Sequence, residues 1–340
     1  MKVLILGVNG FIGHHLVRKI LSDTNWHIYG MDIYSDRIKP MLGNKRFHFK
    51  QADMSKNEQW IKRHIKLCDS VLPLAAIATP KLYVQDPIKV FELDFEQNLK
   101  IVRHCVKYKK HLVFPSTSEV YGMCPDKSFN EDTSNLVVGP IKSQRWIYSV
   151  SKQLLDRVIW GYGKKEGLKF TIFRPFNWIG SGLDTVQTAK QSSSRVISQF
   201  IWNILHGKPL KIVDGGKQRR CFTYVSDGID CLIKIIGKKG NKHIGDIFNI
   251  GNPNADKSIM ELAKTLIKVY KSHPLKPDGI SEPKIELVNQ ERYYGKGYQD
   301  IERRKPSIDK AKRILGWKPK VNFQSAVKKT LDCHLKNLKK

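Results

Sequence analysis

The sequence predicts a doubly wound α/β fold: a parallel sheet of the Rossmann type, covered by helices on both faces and joined to a second, smaller lobe. Three observations predict it. Apolar, strand-like runs alternate with stretches of helical spacing through the first half of the chain. Gly7, Gly10 and Gly13 stand between the first such run and the first helix. Asp32 then closes the second run, about 20 residues beyond the last of those glycines.

The elements follow in order. Residues 3–6 form a short apolar run, and 11–21 have helical spacing, with Phe11, Ile12, Leu16 and Ile20 on one side. Residues 26–32 and 46–50 read as strands, and 70–74 is another apolar run. A long helical pattern over 90–108 leads into a strand at 111–115, and a helix over 146–162 leads into a strand at 170–174. Strands and helices in alternation build a parallel sheet through right-handed crossovers. Beyond Asn177 the pattern loosens to a helix over 192–205, short strands at 209–214 and 246–250, and a helix over 258–270 with Glu261 in its first turn. Residues 274–306, rich in Gly, Pro, Tyr and charge, read as loop. The predicted division is a dinucleotide-binding domain over 1–177, taking back segments near 222–252, and a discontinuous substrate lobe over 178–340.

Composition excludes several classes. The 340 residues are 41% apolar and 10% aromatic, enough for a packed core and unlike disordered, collagenous or coiled-coil chains. No apolar run reaches the roughly 18 residues that span a bilayer. The apolar start at 3–6 runs straight into glycines with no small-residue cleavage site, so it reads as a first strand rather than a signal peptide. A cytoplasmic protein without a membrane partner is expected. The six cysteines are scattered, which argues against a metal site and a disulfide framework alike. Sixty Lys+Arg against 31 Asp+Glu give a net charge of +29. The excess is mostly Lys and is spread along the chain, with a denser end at Lys328, Lys329, Lys336, Lys339 and Lys340. Sequence-reading nucleic-acid binders cluster their charge and favour Arg. The pattern therefore predicts a solvated surface that attracts anionic substrates, and no nucleic-acid partner.

The chemistry is concentrated in a few motifs. In Gly7-Val-Asn9-Gly10-Phe11-Ile12-Gly13 the glycines permit a tight turn, and the backbone N–H groups of a helix start can approach a pyrophosphate. A carboxylate at Asp32 accepts hydrogen bonds from a ribose 2′-OH and repels a 2′-phosphate, which favours NAD over NADP. Asp53 and Met54, after the third strand, are placed to flank an adenine. Residues 73–79, including Ala78, would lie over the cofactor's phosphates or ribose. Tyr148 and Lys152 stand at i and i+4 on one helix face. A free Tyr is a poor base near neutral pH, and the ammonium of Lys152 is expected to lower the phenol's pKa. Lys211, Lys217, Arg219 and Arg220 form a cationic segment suited to a diphosphate.

With Ser116-Thr117-Ser118-Glu119-Val120-Tyr121-Gly122 between these ends, the chain resembles the extended short-chain dehydrogenase/reductases that act on nucleotide sugars, the NAD-dependent epimerase/dehydratase family. Longer runs at 114–123, 145–152, 173–178, 214–222 and 293–300 narrow the resemblance to its oxidative UDP-glucuronate decarboxylases, and the likeness covers nearly the whole chain. The resemblance implies NAD as cofactor and UDP-glucuronate as substrate. It implies catalytic roles for Thr117, Ser118, Glu119, Tyr148, Lys152 and Arg304, with Glu119 as a base. It also places Ala78, Tyr83, Thr117, Ser118, Arg145, Asn177 and Tyr298 in the sugar-nucleotide site. Arg304 matches the family's proposed proton donor. A guanidinium with a pKa above about 12 is a poor acid, so binding the sugar carboxylate and stabilising an enolate suits it better. Delivery of the C5 proton by Arg304 or by a water stays open.

The implied reaction removes hydride from C4 of the glucuronate ring. The resulting β-keto acid loses CO2, and protonation at C5 leaves a UDP-4-keto-pentose. The implied setting is 4-amino-4-deoxy-L-arabinose synthesis for lipid A and polymyxin resistance. Bifunctional relatives carry a formyltransferase domain ahead of this one; here Met1 leads at once into the first strand, so that activity is expected on a separate chain or domain. Relatives pair through helices matching 90–108 and 146–162, which implies a homodimer. A redox-neutral decarboxylase of the UDP-xylose or UDP-apiose synthase type would return the hydride before release. A 4-epimerase would leave Glu119 and Arg304 without a task. A non-enzymatic basic scaffold is opposed by the intact set of Gly7, Asp32, Tyr148 and Lys152.

Overall fold

The computed structural model describes residues 1–191, 193–237, 240, 242–294 and 299–338. The first half alternates β1 (Lys2–Leu6), α1 (Phe11–Asp23), β2 (His27–Asp32), β3 (Phe47–Gln51), α2 (Glu58–Leu67) and β4 (Ser70–Pro73). It continues through the short helices α3 (Pro80–Gln85) and α4 (Pro87–Phe91), then α5 (Asn98–Lys107), β5 (His111–Pro115), α6 (Ile147–Glu166) and β6 (Phe170–Pro175). The second half holds β7 (Trp178–Ile179), α7 (Val186–Lys190), α8 (Val196–Leu205), β8 (Leu210–Val213), β9 (Arg219–Cys221), β10 (Thr223–Tyr224) and α9 (Val225–Gly237). It closes with β11 (Asp246–Ile250), β12 (Asp256–Ser258), α10 (Ile259–Lys271), β13 (Ile285–Val288), α11 (Gln290–Tyr294), β14 (Arg303–Arg304) and α12 (Phe323–Leu338).

Seven of these strands make one parallel sheet in the order β11-β6-β5-β4-β1-β2-β3. The winding reverses between β1 and β4, so the loops leaving their C-terminal ends part there and open a crevice. Both faces of the sheet are buried, and β1 shows how. Val3 and Ile5 join the cluster under α1 and α9, while Leu4 and Leu6 join the cluster under α2, α5 and α6. A third cluster, built from α8, α10, α12 and β8, is the core of the lobe beside the sheet. The C-terminal chain also sends strands to the site: β9 pairs antiparallel with β12 and parallel with β14.

Three expectations need correction. The helix read over 90–108 is broken into α4, a π-helical turn over Glu92–Gln97, and α5. Asn98 sustains the wide turn by donating from Nδ2 to the Leu93 carbonyl, five residues back, at 2.9 Å. The segment read as loop over 274–306 contains β13, α11 and β14, because β8 and β9 offer unpaired edges to β13 and β14. The helix read over 192–205 starts later, at Val196, since Asp184 accepts the N–H and Nε of Arg195 at 3.1 Å each and holds it extended.

At the bottom of the sheet His111 is partly buried on β5, with Nε2 3.0 Å from Thr171 Oγ1 and Nδ1 3.4 Å from Ser70 Oγ. Burial, then the charges of His243 and Lys169, lower its pKa to about 4. Between the ordinary value near 6.5 and about 4 the unfolded chain binds a proton that the folded chain refuses. Stability should therefore be full above pH ~6.5 and fall as pH drops toward ~4, by on the order of 3 kcal/mol from this group. Urea unfolding midpoints measured across that window should decline in the wild type and flatten in His111→Gln.

Candidate active site

The crevice at the switch point is built for a phosphate chain. Gly7 has φ of +91°, and a Cβ there would lie 2.7 Å from the Ala75 backbone nitrogen. A Cβ on Gly13 would lie 2.1 Å from the Gly7 carbonyl. Only glycine admits these approaches. The first turn of α1 has neither a side-chain cap nor an acidic residue, so the amides behind Gly10, at Phe11 and Ile12, remain available to an anion. Asn9 spends its side chain on the neighbouring loop, accepting from the Arg37 N–H at 2.8 Å and donating to Asp36 at 2.7 Å. Its backbone N–H donates to Asp32 Oδ2 at 2.8 Å, which fixes that carboxylate at the end of β2. Burial pushes the Asp32 carboxyl up, while the amides of Asn9, Tyr34 and Ile33 and the charge of Arg37 oppose it.

Beyond β3, Asp53 is exposed and accepts from Ser55 N and Oγ at 2.8 Å each. Met54 lies in the core cluster with Leu6 and Met31. Ala78 is exposed on the 74–79 segment, whose Ile77 N–H donates to Asp94 at 2.9 Å.

The chemical groups converge on the loop after β5. Thr117 caps the tight turn Ser118–Tyr121, accepting the Glu119 N–H at 3.2 Å. Gln153, one turn into α6, donates to the Val120 carbonyl at 2.7 Å and locks the turn to the helix. Beneath it Ser116 and Arg174 both donate to the buried Asp156, at 2.7 and 3.1 Å. Tyr148 shares a hydrogen bond with Thr117 and stacks on Tyr83 of α3, ring centroids 4.7 Å apart and planes within 8°. Burial, then Asp94 and Glu119, raise the Tyr148 phenol well above its ordinary pKa. Lys152 Nζ stands 3.1 Å from Asp94 Oδ1 in a fully buried pair.

Glu119 is clamped by two guanidiniums. Arg145 Nη2 donates to Oε2 at 3.0 Å and Arg304 Nη1 donates to Oε1 at 3.1 Å. Arg304 reaches it from β14, where it lies in register beside Arg220 of β9. Arg220 in turn donates to Asp300 at 2.7 Å. Burial works against Asp300's ionisation, yet Arg220, Arg304 and Arg145 hold its carboxyl below the ordinary range.

Strand alternation divides the expected cationic segment. Arg219, with Arg303, faces the other side of the small sheet and is bound to Asp256, while Arg220 faces the side of Glu119. Lys217 is exposed, and Lys211 opens on a separate cavity of about 360 Å³ that Trp202, Lys208 and Tyr293 also line. The four cations therefore do not form one patch. Asn177 takes a φ of +41°, and its side-chain oxygen is buried without a partner among the described residues. Tyr298 lies outside the described residues. Ser118 is buried within the turn.

Sequence reasoning missed Asp94 and Asp300. Asp94 had a signal: with Asn98 it interrupts an apolar stripe that runs through Val90, Ile101 and Cys105. Among the described residues, no cluster of three or more His, Cys, Asp and Glu could hold a metal ion, and no helix is long and apolar enough to cross a membrane.

A glycine-lined crevice at the switch point, an acidic residue closing β2 and a Tyr–Lys pair on α6 define a dinucleotide-dependent enzyme of the short-chain dehydrogenase type. Residues 3–251 match the NAD dependent epimerase/dehydratase family, and the chain belongs to it. Its cofactor is NAD. The structure is similar to that of the PbgP3 protein from Burkholderia pseudomallei, at 49% identity over 99% of this chain and 97% of that one, with a TM-score of 0.89. It shares its fold with the UDP-glucuronic acid 4-epimerase from Bacillus cereus solved with UDP-glucuronic acid and NAD, at 24% identity over 99% and 100% of the two chains, TM-score 0.81. The UDP-glucose 4-epimerase from Thermotoga maritima, solved with UDP-glucose, matches at 23% identity over 99% and 100%, TM-score 0.80.

The fixed Asp32 carboxylate should dominate cofactor choice. Asp32→Asn is expected to weaken NADH binding roughly tenfold, the value of one charged hydrogen bond, and to narrow the margin over NADPH. Fluorescence titration with both cofactors measures it.

Proposed function

We propose that this chain oxidatively decarboxylates UDP-glucuronate to a UDP-4-keto-pentose, with release of CO2 and NADH. The clamp on Glu119 carries the reading. Two guanidiniums on one carboxylate leave one net positive charge in a buried site, a match for an anionic sugar rather than a neutral one. Arg304 keeps a spare donor, since its buried Nε has no hydrogen-bond partner among the described residues. The motif resemblance to the UDP-glucuronate decarboxylases supports the same substrate.

NAD, when bound, supplies the hydride acceptor for C4 of the sugar. Tyr148 takes the O4 proton, held in line by Thr117. The C4 carbonyl so formed makes the sugar a β-keto acid. The C5–C6 bond then breaks, its electron pair passing into the C4 carbonyl as CO2 departs. Arg304 and Arg145 stabilise the enolate, with Glu119 fixing their planes. Protonation at C5 completes the product, and the proton gained there balances the one lost from O4. Asp53, Met54 and Ala78 belong to the cofactor's surroundings in this reading. Tyr83, Asn177 and Arg220 belong to those of the sugar nucleotide, whereas Lys211, on the separate cavity, and the exposed Lys217 stand apart from them. The helices over 90–108 and 146–162 are the surface for pairing with a second copy, and on α6 Val150, Leu154 and Trp160 are exposed. The resemblance gives the product a use in 4-amino-4-deoxy-L-arabinose synthesis for lipid A.

Incubation with UDP-glucuronate and NAD should yield CO2 and NADH in step. CO2 without NADH would point instead to a redox-neutral decarboxylase, and an epimerised sugar without CO2 to a 4-epimerase. Tyr148→Phe and Glu119→Gln should each lower kcat by about 100-fold or more.

A further inference from the structure

Glu119 and Arg304 belong to distant stretches of chain, and one side chain on β11 is bonded to both stretches. Asn249 is fully buried. Its Oδ1 accepts the phenol O–H of Tyr121, the last residue of the turn that carries Glu119, at 2.9 Å. Its Nδ2 donates to the carbonyls of Phe129, at 2.9 Å, and of Ser307, at 3.3 Å. Carbonyls only accept, so the carboxamide has a single workable orientation, with its oxygen toward the phenol. Its backbone N–H is held too, donating to Glu131 at 2.8 Å.

Ser307 follows closely on Arg304, and the chain between them is tightly held. The Phe129 N–H donates to the Lys305 carbonyl at 2.7 Å, and the Ser307 N–H donates to the Phe129 carbonyl at 2.8 Å. Pro306, between them, bridges to Phe129 and has its own φ fixed by its ring. The Phe129 ring in turn stacks on Tyr121, centroids 4.6 Å apart. The other end of the Glu119 turn is anchored under the sheet. Arg174 donates to the Tyr121 phenol at 2.9 Å and to Asp156 at 3.1 Å, and Ser116 donates to the same carboxylate at 2.7 Å. The pairing of β14 with β9 relates Arg304 to Arg220, not to that turn.

Two long side chains can meet over a range of backbone separations, because each has several rotamers to choose from. A short carboxamide bonded on both sides permits one separation. Displacement of about 1 Å at a reacting centre can cost on the order of 100-fold in rate. We propose that Asn249 is the positioning residue of the clamp: through Tyr121 on one side and the carbonyls of Phe129 and Ser307 on the other, it sets the distance between the backbones that present Glu119 and Arg304. The inference rests on the reading of those two residues as the groups that act on the sugar.

Two variants divide the link. Tyr121→Phe removes the bond to the turn and keeps the ring on Phe129; Asn249→Leu removes both sides. The first measurement needs no substrate. Urea unfolding midpoints of the full chain, of Glu119→Gln, of Arg304→Gln and of the double variant form a cycle that reads the coupling of the two residues. The two substitutions should be non-additive in the wild type, and the non-additive part should fall by roughly half or more when the cycle is repeated on Tyr121→Phe and on Asn249→Leu. Coupling absent from the wild type, or undiminished in Tyr121→Phe, overturns the proposal. Tyr121→Phe decides the matter even should Asn249→Leu not fold. The second measurement separates positioning from general damage. In Tyr121→Phe, kcat for CO2 release from UDP-glucuronate should fall about tenfold while the dissociation constant of NADH stays within about twofold. An unchanged kcat, or a loss of NADH affinity as large as the loss of kcat, overturns the proposal. A wild type that shows the coupling and releases no CO2 fails the reading of the reaction, and the cycles still decide the role of Asn249.

Discussion

Charge held out of water is the constraint that organises this molecule. Arg145, Lys152, Arg220, Asp94, Asp156 and Glu119 are all buried around one small volume. Taking such ions out of solvent costs several kcal/mol each unless a partner is at hand, and their pairing returns little net stability. What it returns is geometry. Every buried cation of the site has a carboxylate within about hydrogen-bond length, and each carboxylate is contributed by a different stretch of chain. The site is therefore specified by the fold as a whole, and no single loop could supply it.

The same bookkeeping separates the two chemical ends. At the cofactor end charge is largely absent from side chains: backbone amides, glycines and one fixed aspartate form the crevice. At the other end charges are dense and nearly balanced. Dinucleotide phosphates need many weak donors in a fixed arc, while the reacting part of a sugar nucleotide needs a strong field aimed at one place. The parallel sheet provides the first through its loops, and the small sheet of β12, β9 and β14 provides the second through alternation of its side chains.

The parallel sheet and its cofactor crevice were legible in the sequence because their signals are local. Strands of five and six residues, Gly7 to Gly13 and Asp32 all lie within the one unit β1-α1-β2. The chemical end was less so. Thr117, Glu119, Tyr148 and Lys152 could be named from motifs, yet nothing in those motifs shows that Lys152 lies beside a buried Asp94. Its partner sits in a turn whose π geometry shifts the helical phase, so periodicity points past it. Arg219 and Arg220 read as one cationic run because adjacency in sequence hides alternation across a strand. Strands as short as β14 carry no periodic signal at all; only their partner's edge creates them.

Arg304 closes the clamp from 185 positions beyond Glu119. The core under β1 and α1, which holds the dinucleotide crevice in shape, also takes in Ile308, Ala311, Leu315 and Trp317 from beyond that arginine. The last stretch of chain to leave the ribosome therefore completes the crevice and the clamp together, and neither end of the site is finished ahead of the other.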